Sequence, residues 1–449
     1  MVIGIWYFSI GKQPHLMISR RLSSTSGLRE ETSWPMWFRS IQHQAWEEFL
    51  SAPSPSAFHQ EAWRFSNVQA LELPKIHYGG DVINLKRDAL PFLLEHSSGL
   101  TPETPCLVFA NHTLVLQRTQ SPHPLGLVML PLKSAIRTHE SLVRSYFMRQ
   151  AAELGSHKYA MWHKACLRNG VLIYVPPNTT IETPVEIFSW LDGTGVALSP
   201  HTLIVCGENS RIAVLEHFRS VSPQDGGFVC GISDIHLAAG AHATYAVIQE
   251  WSTRTRALHL NSTLVSQNAR ATVLQANFGA GFLRSESLSR LAGSKASSLM
   301  LSLTAASGVQ EIDQRTLQDH TVPDTSSDLL HHNTLDDSAR TIFSGLIRVE
   351  PRAQKTDAYQ KVRNLLLSDA AEANSMPGLE ILADDVRCTH GATSGQINAE
   401  ELFYMRTRGI PERLGRRLIA NGFLASVLER LEDKMLRTFF MNRLYNDKG

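Results

Sequence analysis

Residues 378–393, Gly-Leu-Glu-Ile-Leu-Ala-Asp-Asp-Val-Arg-Cys-Thr-His-Gly-Ala-Thr, set a thiol and an imidazole two residues apart beside paired carboxylates. Thiolate sulfur and imidazole nitrogen are the donors that zinc, copper and iron–sulfur centres take. In an extended strand alternate side chains share a face. Asp384, Val386, Cys388 and His390 are therefore expected on one side, and Asp385, Arg387 and Thr389 on the other. Cys388 and His390 would then look into the same cleft. Two donors cannot close a tetrahedral site, so a metal held here draws its other ligands from elsewhere. Spacing alone leaves an ordinary reading open, a packed free cysteine beside a hydrogen-bonded histidine.

The remaining thiols and imidazoles carry weaker signals. Cys106, Cys166, Cys206, Cys230 and Cys388 are scattered with no Cys-x-x-Cys pair, which fits neither a disulfide framework nor a resident four-cysteine cluster and points to a reducing compartment. Cys166, Cys206 and Cys230 sit among apolar residues and read as packing rather than as sulfur carriers. His331 and His332 are adjacent, so on a strand they would face opposite ways; hydrogen bonding in a polar loop is the expected role.

What the chain lacks narrows its function further. It has no Gly-x-x-x-x-Gly-Lys-Ser/Thr phosphate cradle, so no nucleotide is expected to bind this chain, and any ATP used belongs to another subunit. It also has no Gly-x-Gly-x-x-Gly, no His-Glu-x-x-His and no Gly-x-Ser-x-Gly, which argues for a non-catalytic role. A net charge of +1 over 449 residues makes nucleic acid an unexpected partner. No apolar run approaches the roughly 18 residues of a membrane span, so no membrane is expected.

The elements that must position these residues change character along the chain. Residues 1–30 read as a disordered or targeting segment: the first 29 lack acidic side chains, carry Lys12, Arg20 and Arg21, and offer Met17 as a second start. Residues 31–168 read as a mixed, largely helical domain. Trp37, Phe38, Ile41, Trp46 and Phe49 have near-helical spacing, and 134–168 is similar. From Gly170 short β-branched runs bounded by Gly, Pro, Asn and Ser take over, giving a β-rich core over 169–395.

Small-basic-small signals at Arg211, His242, Arg270 and Lys295 each precede an apolar strand, and their separations of 31, 28 and 25 residues suit the rungs of a β-solenoid. A sandwich could also produce them. Residues 396–449 turn helical. Asn398 and Glu401 form a capping box, Pro411 suits a first turn, and Leu414, Leu418, Ile419, Phe423, Val427, Leu428 and Leu431 make a stripe, either core or a docking surface.

Several segments carry a family likeness. They are Asp337-Ser-Ala-Arg-Thr-Ile-Phe-Ser-Gly-Leu-Ile-Arg-Val349, Ala353-Gln-Lys-Thr-Asp357, Asn364-Leu-Leu-Leu-Ser368, the block 383–393, Leu402-Phe-Tyr-Met-Arg-Thr-Arg-Gly-Ile410 and Asn421-Gly-Phe423. Together they resemble the SufB/SufD family of iron–sulfur cluster assembly scaffolds, and its SufD branch in particular. The likeness is specific over roughly the last 110 residues and looser before them.

The resemblance implies a right-handed parallel β-helix core flanked by an N-terminal α/β, largely helical region and a C-terminal helical one. It implies pairing with a SufB-like paralogue through the β-helix and a SufC-like ABC ATPase held by the C-terminal helices. It also implies a nascent cluster shared at the heterodimer interface, with His390 as the matching ligand and Cys388 as an accessory or structural thiol. The cytoplasm is the expected compartment, or a plastid if the N-terminal segment is a transit peptide. Two alternatives stay open: a SufB-like paralogue that accepts persulfide sulfur, and a β-helix polysaccharide-active enzyme. The second needs clustered carboxylates, whereas Asp384 and Asp385 would point to opposite faces.

Overall fold

The computed structural model describes residues 34–71, 89–119 and 125–446, so the expectation for residues 1–30 lies outside the described residues. Strands of about ten residues coil alternately into two parallel sheets of ten strands each. One sheet ends with Ser297–Ala306, Ser326–Leu335, Asp357–Leu366 and Arg387–Gln396, and the other with Glu311–His320, Arg340–Val349 and Glu372–Ile381. This is the expected parallel β-helix.

The repeat signals mark its register. Arg211, His242 and Arg270 lie side by side on successive rungs. Lys295 departs from the column, because Ser297 is the register partner of Arg270. Lys295 instead occupies the preceding turn in the left-handed region, at φ 61°, where Asn178, Asn209, Asn268 and Asp324 also have positive φ. Asn and Asp tolerate that conformation because their short polar side chains bond locally, and Asn209 Nδ2 donates to Asn178 Oδ1 at 3.1 Å.

The sheets begin well before residue 169. Cys106–Ala110 pairs in parallel with Val185–Leu191 and turns back through Thr113–Arg118, while Val128–Pro131 pairs antiparallel with Val171–Val175. These antiparallel strands close the stack at its first rungs. The helical stretch expected over 134–168 is broken into Leu132–Thr138, Glu140–Tyr146 and His157–Cys166.

Helices cover both outer faces, as parallel sheets require. On one, Trp46 and Phe49 of the helix Met36–Ser51, with Trp63 and Trp162, pack on Phe228, Ile232, Leu260 and Phe282. On the other, Leu424, Val427, Leu428, Leu431 and Phe440 pack on Leu215, Ile248, Leu274 and Leu301. The helix Glu412–Leu428 thus buries only part of the expected stripe. Val427, Leu428 and Leu431 are core, Leu414, Ile419 and Phe423 are half-buried, and Leu418 faces solvent. Asn398 accepts from the Glu400 amide at 2.8 Å as a cap, but Glu401 makes no return bond.

His331 and His332 lie on the strand Ser326–Leu335 and not in a loop, and both are buried. They do face opposite ways. His331 meets Phe343 inside, while His332 stacks on Phe423 at 4.4 Å and bonds the Phe423 carbonyl at 2.8 Å, tying the C-terminal helix to the sheet.

The helix interior is apolar at first and then polar. Glu216 accepts from Tyr245 at 2.6 Å and Thr202 at 3.0 Å, yet burial pushes its carboxyl up to about 7, against those two bonds. A raised carboxyl binds its proton more tightly folded than unfolded. Its stabilising contribution is therefore present below the unfolded pKa and is lost as pH rises through about 7. Glu216→Gln should flatten the stability of the protein between pH 5 and 7 relative to wild type, by up to about 1.4 kcal/mol per pH unit. Urea midpoints across that range test this, and parallel profiles for the two proteins would refute it.

Candidate functional site

The helical layers stop short of the last rung. Residues of Glu372–Ile381 are half-buried or exposed, and those of Arg387–Gln396 are exposed apart from a half-buried Cys388. Asp357–Leu366 pairs with Arg387–Gln396 on one side, and among the described residues no strand pairs with the far side. Such an edge presents unpaired N–H and C=O groups as a template for another chain. A Cβ added at Gly391 or Gly395 would meet nothing within 4 Å, so the edge is open as well as unpaired. Leu379, Ile381 and Leu382 are exposed beside it.

Cys388 and His390 lie on this last strand, in register with Ala358 and Gln360. Alternation puts both on one face, as expected, and that face is the inward one, but the two are covered differently. Cys388 packs with Ile347, Val349, Ala353 and Ala358, whereas His390 is exposed because no further rung covers it. Asp384 and Asp385 lie in the bend before Arg387, so the expected alternation does not reach back to them.

The environment of Cys388 bears on its use as a donor. Burial, and secondarily the Asp357 carboxylate, raise the Cys388 thiol above its ordinary value, opposed by a backbone hydrogen bond at Ala358. Metals and electrophiles take the thiolate, so this thiol is the poorer donor near neutral pH. Among the described residues no three His, Cys, Asp or Glu side chains converge as a metal group. Of the other cysteines, Cys106, Cys206 and Cys230 are buried, with Cys206 pushed up to about 12 by burial, in keeping with packing roles.

Sequence reasoning missed what supports His390. Gln360, one rung beneath it, is buried, and its Nε2 donates to the Gly345 carbonyl at 3.3 Å. Gly345 has no room for a Cβ, which would lie 2.5 Å from Phe343 and 2.7 Å from Gln360. Gly345→Ala should therefore cost about 1–3 kcal/mol through overpacking, read from its urea midpoint. An unchanged midpoint would show that Phe343 and Gln360 yield freely. The signal available in the sequence was the run Cys-Thr-His-Gly-Ala-Thr-Ser-Gly, whose small polar residues replace the apolar ones of earlier rungs.

Residues 189–423 match the model of the SUF system iron–sulfur cluster assembly SufBD core domain. The chain is 29% identical over 424 residues to the iron–sulfur cluster assembly protein SufD of Bacillus subtilis, covering 90% of this chain and 92% of that one. It is 33% identical over 238 residues to SufD of Escherichia coli, with 53% and 56% covered. An iron–sulfur cluster assembly SufBD family protein of Staphylococcus epidermidis is 25% identical over 434 residues, covering 96% of this chain and 89% of that protein. With its β-helix core matched over more than half its length, the chain belongs to the SufBD family of iron–sulfur cluster assembly proteins.

Proposed function

We propose that the chain is a SufD-like scaffold subunit, acting in the cytoplasm, that pairs with a SufB-like paralogue and presents His390 to a nascent iron–sulfur cluster at the shared edge. The observation that carries this reading is an exposed imidazole on the last strand of a family-matched β-helix, whose far edge no described strand pairs. The cluster is cargo. A neutral imidazole in place of a thiolate reduces the negative charge around iron and weakens the hold on it, which suits a site that must release its product. Cys388, half-buried and raised, is a packing neighbour or accessory donor.

The C-terminal helices are the proposed dock for a SufC-like ATPase. On the helix Ala399–Thr407, Phe403 is 67% and Tyr404 59% exposed, close in sequence to the exposed Leu418 of the next helix. Deleting residues 411–449 would strip cover from Leu215, Ile248, Leu274 and Leu301, so loss of the ATPase there would report misfolding. Replacing Phe403 and Tyr404 together by Ala is the cleaner change. It should leave the chain folded and the paralogue bound while removing most of the ATPase from a tagged-chain pull-down. Full ATPase recovery would place the dock elsewhere, and a tagged chain that captures neither an ABC-type ATPase nor a paralogue would overturn the scaffold reading.

A further inference from the structure

A cavity of about 250 Å³ lies between one outer face of the β-helix and the N-terminal helices, far in sequence from the open edge. Asp234, Ser262 and Leu288 cross its floor in register, with Ile232, Leu260 and Glu286 in the next row. Residues 148–154 and the helix His157–Cys166 form its roof. It adjoins a second cavity of about 400 Å³ lined by Trp37 and Phe147, and Met148, Arg149, Met161 and Lys164 line both. Ser262 Oγ and both amide atoms of Gln150 are buried in the wall without a hydrogen-bond partner among the described residues. A largely apolar hollow with a few unanswered polar groups is the usual form of a small-molecule site.

Charge decides what it would take. His163 Nδ1 bonds the Cys230 carbonyl at 2.7 Å, so that nitrogen carries the proton. Its Nε2 then accepts from His201 Nδ1 at 3.1 Å, which leaves His201 Nε2 as a lone pair 3.5 Å from Asp234 Oδ2. A lone pair facing a carboxylate is repulsive, and burial pushes the Asp234 carboxyl up to about 7 although its Oδ2 accepts from the Met148 amide at 2.7 Å, so this acid carries less than a full charge near neutral pH. Glu286 is answered by Arg284 at 2.7 Å, and Glu153 by Arg290 and Arg348. Lys164 remains. No hydrogen bond or ion pair within 4.0 Å reaches its ammonium among the described residues, with Glu48 and Asp234 acting only at longer range. Arg149 beside it is engaged by the carbonyls of Ser145 and Arg144 and by no acid.

We propose that this cavity binds a small organic anion, with its carboxylate or phosphate on Lys164 and Arg149 and its apolar body among Leu260, Leu288, Ala160 and Met161. The site is independent of the cluster-assembly edge. Calorimetry and saturation-transfer NMR on the full chain, with phenylacetate, phenyl phosphate, inorganic phosphate, benzylamine and 2-phenylethanol, test it. Phenylacetate or phenyl phosphate should bind at least about tenfold more tightly than the amine and the alcohol, and the better of the two identifies the acid group. Lys164→Met should weaken that binding by about tenfold or more, and Lys164→Arg should restore most of it. Lys164→Met should fold with a thermal midpoint no lower than wild type, because it removes a half-buried ammonium that has no partner. Equal binding of the alcohol or amine, inorganic phosphate as tight as phenyl phosphate, retained affinity in Lys164→Met, or no binding of either organic anion would each overturn the proposal.

Discussion

His390→Ala should sharply impair cluster assembly, on the proposed reading, while leaving the complex with its partners intact. The imidazole is exposed on the last strand and packs in none of the hydrophobic clusters, so its loss removes a donor and no core volume. Loss of the proposed ligand should lower cluster yield by at least the roughly 10- to 100-fold typical of losing a supporting residue around a metal. Cys388→Ala should be milder, because its thiol is pushed up by burial and by Asp357 and is little ionised near neutral pH. Anaerobic reconstitution of each assembled complex, with gel filtration to confirm recovery, measures both. Normal cluster yield from His390→Ala together with failure of Cys388→Ala would reverse the assignment and make the thiol the ligand.

Arg284→Met should destabilise the chain by about 3–5 kcal/mol, a large share of the roughly 5–15 kcal/mol that holds a typical protein folded. Arg284 is 0% exposed. Its Nε donates to Glu286 at 2.7 Å and its Nη1 to Asp313 at 2.5 Å. Its Nη2 reaches the carbonyls of Ala62 at 2.9 Å and Leu154 at 2.7 Å, and the guanidinium lies 3.7 Å from the Trp63 ring. It thus fastens two N-terminal segments to the β-helix. Methionine fills similar space but leaves two buried carboxylates short of a cation, and lysine lacks the planar fork. Urea unfolding measures the loss, and limited proteolysis should cut near residues 60–66 and 150–156 first. A midpoint within about 1 kcal/mol of wild type would mean that Arg315, 2.6 Å from Asp313, is compensation enough.

Much of the core was legible because a solenoid repeats its physics. Each rung needs a turn residue that accepts a left-handed backbone and then an apolar strand, so Arg211, His242 and Arg270 marked true register positions. Lys295 misled because a basic residue can also fill the turn. His331 and His332 looked like a loop because buried polar residues are rare on strands, but this interior is lined with them and His332 bonds the C-terminal helix. At the edge, alternation placed Cys388 and His390 on one face, yet it could not show that the next rung is missing. That absence is a property of the stack, and it alone separates a half-buried thiol from an exposed imidazole. The ionic cluster around Arg284 was not legible because, apart from the local Arg284–Glu286 pair, its members come together across 29 residues for Asp313 and 247 between Ser66 and Asp313.

The two ends of the β-helix differ, and that difference sets how far assembly can proceed. At the first rungs the chain folds back through antiparallel strands, so an incoming strand there cannot continue the parallel ladder. Growth from head to tail, which would generate filaments, lacks a matching acceptor. Among the described residues the far edge is the one left open to a parallel strand, and two such edges meeting consume one another. A chain with one such edge suits a closed pair with a single seam, and under the proposed function that seam would be the one place where two chains could reach the same ion.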